Sequence, residues 1–360
     1  MIFTFRRFSA AAAAMLTAAL CFGGAAQAQS KWAGPEEMDA MGAPLPQVAL
    51  PQSVIEAAGA YRAYMRSASS TSAAFEDGKG VGHSVRTGAS YEPKQLARGA
   101  VAYAAVVALQ NRAFVRGVRA AGADPYERRE LAAEIWQDPA AAVQFRGSEA
   151  AAGAILSAIG GEGARLRELG EDVRKAAYSV QLQPWSKLEV SGRDFRLAEA
   201  KVLSDTPILA SERDLRRLRA AVSGSDPLDV DGGSPANSYA PVVLRGLAVA
   251  SLALLGEATD DNADLLDEML NEKGCAECLR MSKLNLFQCL AVAKPWYEDI
   301  FCIGQHGLKD TGECIAASSR EPEDGRRARR SRTVVFTSDG RRHERRERDR
   351  WRNEDGWSRF

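Results

Sequence analysis

The chain has 360 residues, 47 basic and 47 acidic, so its formal charge is zero. Aromatic residues make up 7%, alanine is abundant and β-branched runs are short, which points to helices and excludes a barrel of alternating strands. With only three histidines, His83, His306 and His343, catalysis based on histidine has few places to sit.

Residues 1–28 read as a secretion signal. Arg6 and Arg7 supply a charged start, Phe8 to Phe22 is apolar, and Ala26-Gln27-Ala28 is a small-residue cleavage site. The apolar run, about 15 residues, falls short of a membrane span. Lipid attachment at Cys21 is disfavoured by Leu20 before it, and the surroundings of Arg6-Arg7 match twin-arginine export poorly. The best later membrane candidate, Pro241 to Gly256, is short and contains Arg245, so no transmembrane segment is expected after the signal. The expected location is the periplasm, where thiols oxidise.

Residues 29–52 form a linker, with Ala43-Pro44-Leu45-Pro46 and Leu50-Pro51 as extended chemistry. A helical body is expected over 53–240. Its first helix runs from Ser53 to Met65 on the spacing of Val54, Ala57, Ala58, Tyr61 and Met65. Residues 67–90, rich in Ser, Gly and Thr, read as a long loop. A helix is predicted over 95–120, and Asp124-Pro125 and Asp138-Pro139 each place a capping acid before a proline. Ser148 caps the next helix through Ile159, and Gly160-Gly161 stops it. Helices follow at 163–182, 193–204 and 211–222, then a Gly, Pro, Asp and Ser loop at 223–238. A C-terminal subdomain, 241–319, holds helices at 241–256, 260–273, 276–293 and 296–316.

Five cysteines fall in that subdomain: Cys275, Cys278, Cys289, Cys302 and Cys314. Lys294-Pro295 marks a turn between two helical stretches. If they fold back on each other, Cys289 and Cys302 lie equally far from the turn, and so do Cys278 and Cys314. Cys275 with Cys314 is nearly as level, so Cys275 or Cys278 is left unpaired. Facing direction favours the inner bridge. Cys278 and Cys289 are 11 residues apart and share a face, whereas Cys302 and Cys314 are 12 apart and diverge by about 120°. The pattern is similar to the twin-cysteine helical hairpins of small intermembrane-space proteins, at a different spacing, and no function is carried over.

Sharper chemistries fail on particular residues. The pair Cys275-Ala-Glu-Cys278 lacks the βαβ context of a thioredoxin motif, and Leu279 stands where haem attachment needs His. A zinc site using His306 competes with oxidation of the same thiols. Gly82-His83-Ser84 is not a serine elbow. Asp229-Val230-Asp231-Gly232 resembles part of a calcium loop, but Pro227 and Ser238 occupy the places of its first and last acids. Neither metal nor cofactor is expected. A helical glycosidase needs only placed carboxylates, and Glu134, Glu149 and Glu199 are no better than their neighbours, so catalytic residues stay unassigned.

Residues 320–360 carry 14 Arg and 9 acidic residues, net +5, beside a 29–319 body of −7. This composition predicts a disordered Arg-rich tail, with Thr333 to Phe336 before Ser338-Asp339-Gly340 as a short hairpin. Two readings stand for the tail. In one it meets an anionic envelope component or an acidic protein, aided by Trp351 and Trp357. In the other it is a solubilising extension that samples the acidic body. Nucleic acid is not an expected partner of an exported chain.

The exported Ala-rich body, the stretch Tyr91-Glu92-Pro93-Lys94-Gln95-Leu96 followed by Val101-Ala102-Tyr103-Ala104-Ala105, and the segment Leu284 to Cys302 resemble secreted proteins of unassigned function from alphaproteobacteria. The resemblance covers residues 50–316 and implies an envelope location and no activity. The expectation is therefore an all-α protein with a disulfide-stapled C-terminal hairpin. A non-enzymatic envelope binding or scaffold role leads, a helical cell-wall hydrolase is the alternative, and a thiol redox role comes third.

Overall fold

The computed structural model describes residues 48–236 and 239–320, together with the backbone of one short strand pair near the C-terminus. The segment read as a signal, most of the expected linker and the Arg-rich tail as a whole lie outside the described residues. Residues 48–320 belong to one compact all-helical unit.

Helix α1 (Gln52–Ser69) starts at Pro51, whose carbonyl accepts the Val54 and Ile55 N–H groups. Its stripe Val54, Ala58, Tyr61, Met65 and Ala68 is buried. The predicted 67–90 loop is a correction: α1 runs on to Ser69, and α2 occupies Gly78–Ala89. The Asp77 carboxylate accepts from Gly80 N–H to start α2, and Val81, Val85 and Ala89 make a buried face. Its glycines hid the period. One of them serves close packing: a Cβ on Gly78 would come 2.5 Å from the Trp296 ring.

Helix α3 (Pro93–Ala108) is capped by Glu92, which accepts from the Lys94 and Gln95 N–H groups. It is buried on nearly every side, as is α10 (Pro241–Leu255), and the two pack on each other in the core. The helix expected over 95–120 is two helices. Asn111 accepts from Phe114 N–H and opens α4 (Arg112–Ala121). The two Asp-Pro expectations fit: Asp124 caps α5 (Pro125–Gln137), and Asp138 caps a 3₁₀ turn, Pro139–Gln144.

Gly160-Gly161 does not stop a helix. Helix α6 (Ser148–Ile155) passes through a π turn, Leu156–Gly160, straight into α7 (Gly161–Val180). Both glycines hold ordinary helical angles, and a Cβ on Gly160 would meet the Ser319 hydroxyl at 2.8 Å. Helices α8 (Arg193–Asp205), α9 (Glu212–Ser223) and α11 (Ala263–Leu270) complete the outer layer. The segment expected as a separate C-terminal subdomain shares one continuous core with the rest, because α10 and α12 (Lys273–Val292) both pack on α3.

The hairpin pairs α12 with a second continuous helix: α13 (Trp296–Cys302), a π turn over Ile303–Lys309, and α14 (Asp310–Ser318). Disulfides join Cys289 to Cys302 and Cys278 to Cys314, each with 5.6 Å between Cα atoms. The π turn removes the facing mismatch of the outer bridge. A π turn takes up one residue more than an α turn, so the 12 residues from Cys302 to Cys314 advance about as far as the 11 from Cys278 to Cys289.

Helix α7 lies along this second helix with the backbones nearly touching. Cβ atoms built on Gly170 and Gly304 would fall 2.3 Å from Lys309 N and 2.4 Å from Arg174 N. Further along the chain, Val335–Phe336 pairs antiparallel with Arg342–His343, where a hairpin was expected.

Candidate functional site

Three buried polar groups and two concavities stand out around the stapled hairpin and α9. The first group is the thiol left over from the two disulfides, Cys275. It is 3% exposed, and burial pushes it up to about 12, with Ser318 opposing. A thiol held protonated and out of solvent is a poor nucleophile.

The second group is Lys283, which is 3% exposed. Its side-chain nitrogen donates to the Gly88 and Ala89 carbonyls at the C-terminus of α2 and sits 3.6 Å from the Tyr91 ring centroid. Burial drives its pKa well down, and Asp205 opposes this. By giving partners to these two carbonyls, Lys283 closes the end of a helix. The Tyr91 hydroxyl continues the polar line to Thr311 (2.9 Å) and Ser282 (3.0 Å from Thr311), and Ser282 donates to the His306 carbonyl at 2.7 Å. This line ties the end of α2, the turn before α3 and the hairpin together.

The third group is the Asp299–Arg196 pair. Asp299 is fully buried, and the Arg196 guanidinium donates to both of its oxygens and to the Leu290 carbonyl. Burial holds the Asp299 carboxyl up at about 6, with Arg196 opposing. None of these pairings was legible from local sequence, because the partners sit 24 to 220 positions apart.

The remaining singled-out residues do not converge. His306 Nδ1 pairs with Asp310 at 2.7 Å, and His83 is exposed on α2. Glu134 accepts from Gln144, Glu149 is exposed on α6, and Glu199 faces Arg86 at 3.6 Å. Among the described residues no group of His, Cys, Asp and Glu is placed to hold a metal ion.

The first concavity is a cavity of about 260 Å³ where the end of α7 meets the Cys289–Cys302 staple. Ala177, Tyr178, Val292, Tyr297, Phe301 and the disulfide wall it, with Gln181 and Glu298 as its polar lining. Tyr178 and Phe301 meet edge to face at 6.3 Å. Small side chains at Ala177 and Ala293 leave the space, while the staple and α7 keep it from collapsing. The lining stays partly in solvent, since Val292 is 73% and Tyr178 57% exposed. Leu188 is exposed beside the hairpin turn, where its carbonyl accepts the Trp296 N–H. Sequence reasoning missed the site because its walls come from α7, α12 and α13, each reading as ordinary helix. The second concavity, between α1 and α9, is a groove lined with arginines and Ser211.

Compared with protein-family models, with characterised proteins and with solved structures, the chain matches none.

Proposed function

We propose that the protein is an exported, non-enzymatic binding protein of the periplasm that holds a small apolar ligand in the cavity beside Cys289–Cys302. The observation that carries this reading is an apolar, aromatic-walled cavity propped open by a covalent staple and left accessible at an exposed apolar surface. An apolar cavity of about 150 Å³ already admits a benzene ring. At about 260 Å³ this one fits a substituted single ring or a short acyl chain.

Two disulfides in the fold agree with an oxidising compartment outside the cytoplasm. No described helix is long and apolar enough to cross a membrane. The resemblance to secreted alphaproteobacterial proteins and the reading of residues 1–28 as a signal support the periplasm within that range. The tail, residues 320–360, supplies the expected contact with an anionic envelope component.

The test is titration of the full oxidised protein with an environment-sensitive naphthalene dye. Saturable binding at one site is expected. Ala177→Leu, which fills the cavity, is expected to weaken it at least tenfold, an effect of about 1.4 kcal/mol, with an unchanged circular dichroism spectrum. Dye binding that does not saturate, or that ignores the substitution, removes the cavity from the reading.

A further inference from the structure

We propose that the groove between the last turn of α1 and α9 is a binding site for phosphate-type oxyanions, separate from the apolar cavity. The groove encloses about 820 Å³ and is lined by four guanidinium groups, Arg66, Arg213, Arg216 and Arg217. Its carboxylates are Asp214 and Asp226.

Asp214 is already saturated. Arg66 donates to both of its oxygens, at 2.8 and 2.7 Å, and the Ser211 hydroxyl donates to Oδ2 at 2.7 Å. Asp226 stands 3.8 Å from Arg217. Arg213 and Arg216 are exposed and have no carboxylate partner among the described residues.

The bland reading is a solvated helix face, and two features weigh against it. Arg213 sits three and four positions before Arg216 and Arg217, where like charges oppose helix formation; Glu212 has the favourable spacing of four from Arg216 but no ion pair with it among the described residues, and Asp214 is taken up by Arg66. This cationic cluster also stands on a region, residues 48–319, with 30 basic and 35 acidic side chains. Self-repulsion concentrated on one groove of an otherwise acidic body is relieved by an anion.

The choice of side chain narrows the ligand. Every cation in the groove is arginine. The planar guanidinium fork matches the paired oxygens of a phosphate group, which a lysine contacts only as a point charge. Arg213 and Arg216 supply free donors, while the Asp214 bridge fixes Arg66 beside them. The ligand is thus a phosphate ester or free phosphate, and its source is either a small molecule or a phospholipid headgroup.

The experiment compares the full-length wild-type protein with Arg213→Gln/Arg216→Gln, two exposed positions outside the core. One arm titrates inorganic pyrophosphate by calorimetry. The other measures cosedimentation with phosphatidylcholine vesicles with and without phosphatidic acid. The expected result is binding in at least one arm, weakened by added salt and reduced at least tenfold by the double substitution. The responding arm identifies the source. Binding that the substitution leaves unchanged belongs to other basic residues, the 320–360 segment included, and overturns the proposal. So does the absence of binding in both arms. Dye binding at the apolar cavity is expected to be the same in both proteins, so failure here is distinguishable from failure there.

Discussion

Asp299 has no exposed surface and sits in the fork of Arg196. Its folded-state carboxyl, held up at about 6 by burial, ionises later than the same group in the unfolded chain, near 3.9. Its contribution is full below about pH 4 and is lost as pH rises through 6, on the order of 3 kcal/mol. Urea unfolding from pH 4 to 7 is expected to show that loss, and Asp299→Asn is expected to flatten the slope. Cys275 gives a second expectation at this scale. Iodoacetamide should modify it only after unfolding, and rapid labelling of the native protein would contradict its burial. From the sequence, the leftover thiol narrows to Cys275 or Cys278. Choosing between them takes the π turn that lets Cys314 face Cys278.

At the scale of elements, the seam between α7 and the π-interrupted hairpin helix depends on missing side chains. Gly170→Ala is expected to cost about 2–3 kcal/mol, because its new methyl meets Lys309 backbone, which cannot rotate away. Ala at Gly224, which has open space around it, is expected to cost less, through its positive φ alone. Thermal or urea unfolding of the two variants checks the order. This seam also explains which helices were legible. Starts written locally, such as Asp124-Pro125 and Asp138-Pro139, are visible because the cap and the first turn are neighbours in sequence. Helix α2 and the passage through Gly160 are not, since glycine reads as a breaker until its partner is known. Those partners, Trp296 for Gly78 and Ser319 for Gly160, lie far along the chain. The hairpin was legible because its turn, Lys294-Pro295, and its cysteines obey one symmetry.

For the whole molecule, α3 and α10 form a centre buried on nearly every side, and the hairpin that packs on α3 is itself held by two covalent bonds. Non-reducing peptide mapping of exported protein is expected to return Cys278–Cys314, Cys289–Cys302 and a free Cys275. Replacing Cys278 and Cys314 together by Ser is expected to lower stability by about 2–4 kcal/mol, measured by chemical denaturation under non-reducing conditions. Deleting 320–360 is expected to leave the fold and dye binding intact while changing envelope fractionation. Unchanged fractionation would take the tail out of the functional reading.

The outer disulfide also settles where mechanical load goes. Cys314 lies four residues before the end of α14, just upstream of residues 320–360. Tension on that C-terminal stretch, from a bound surface or a processive protease, cannot unzip α14 turn by turn beyond Cys314. It is handed across the S–S bond to α12 and from there to α3, the most deeply buried helix it touches. A pull on the tail therefore works against the whole core at once. With the bridge reduced, the same pull would peel the last helix alone.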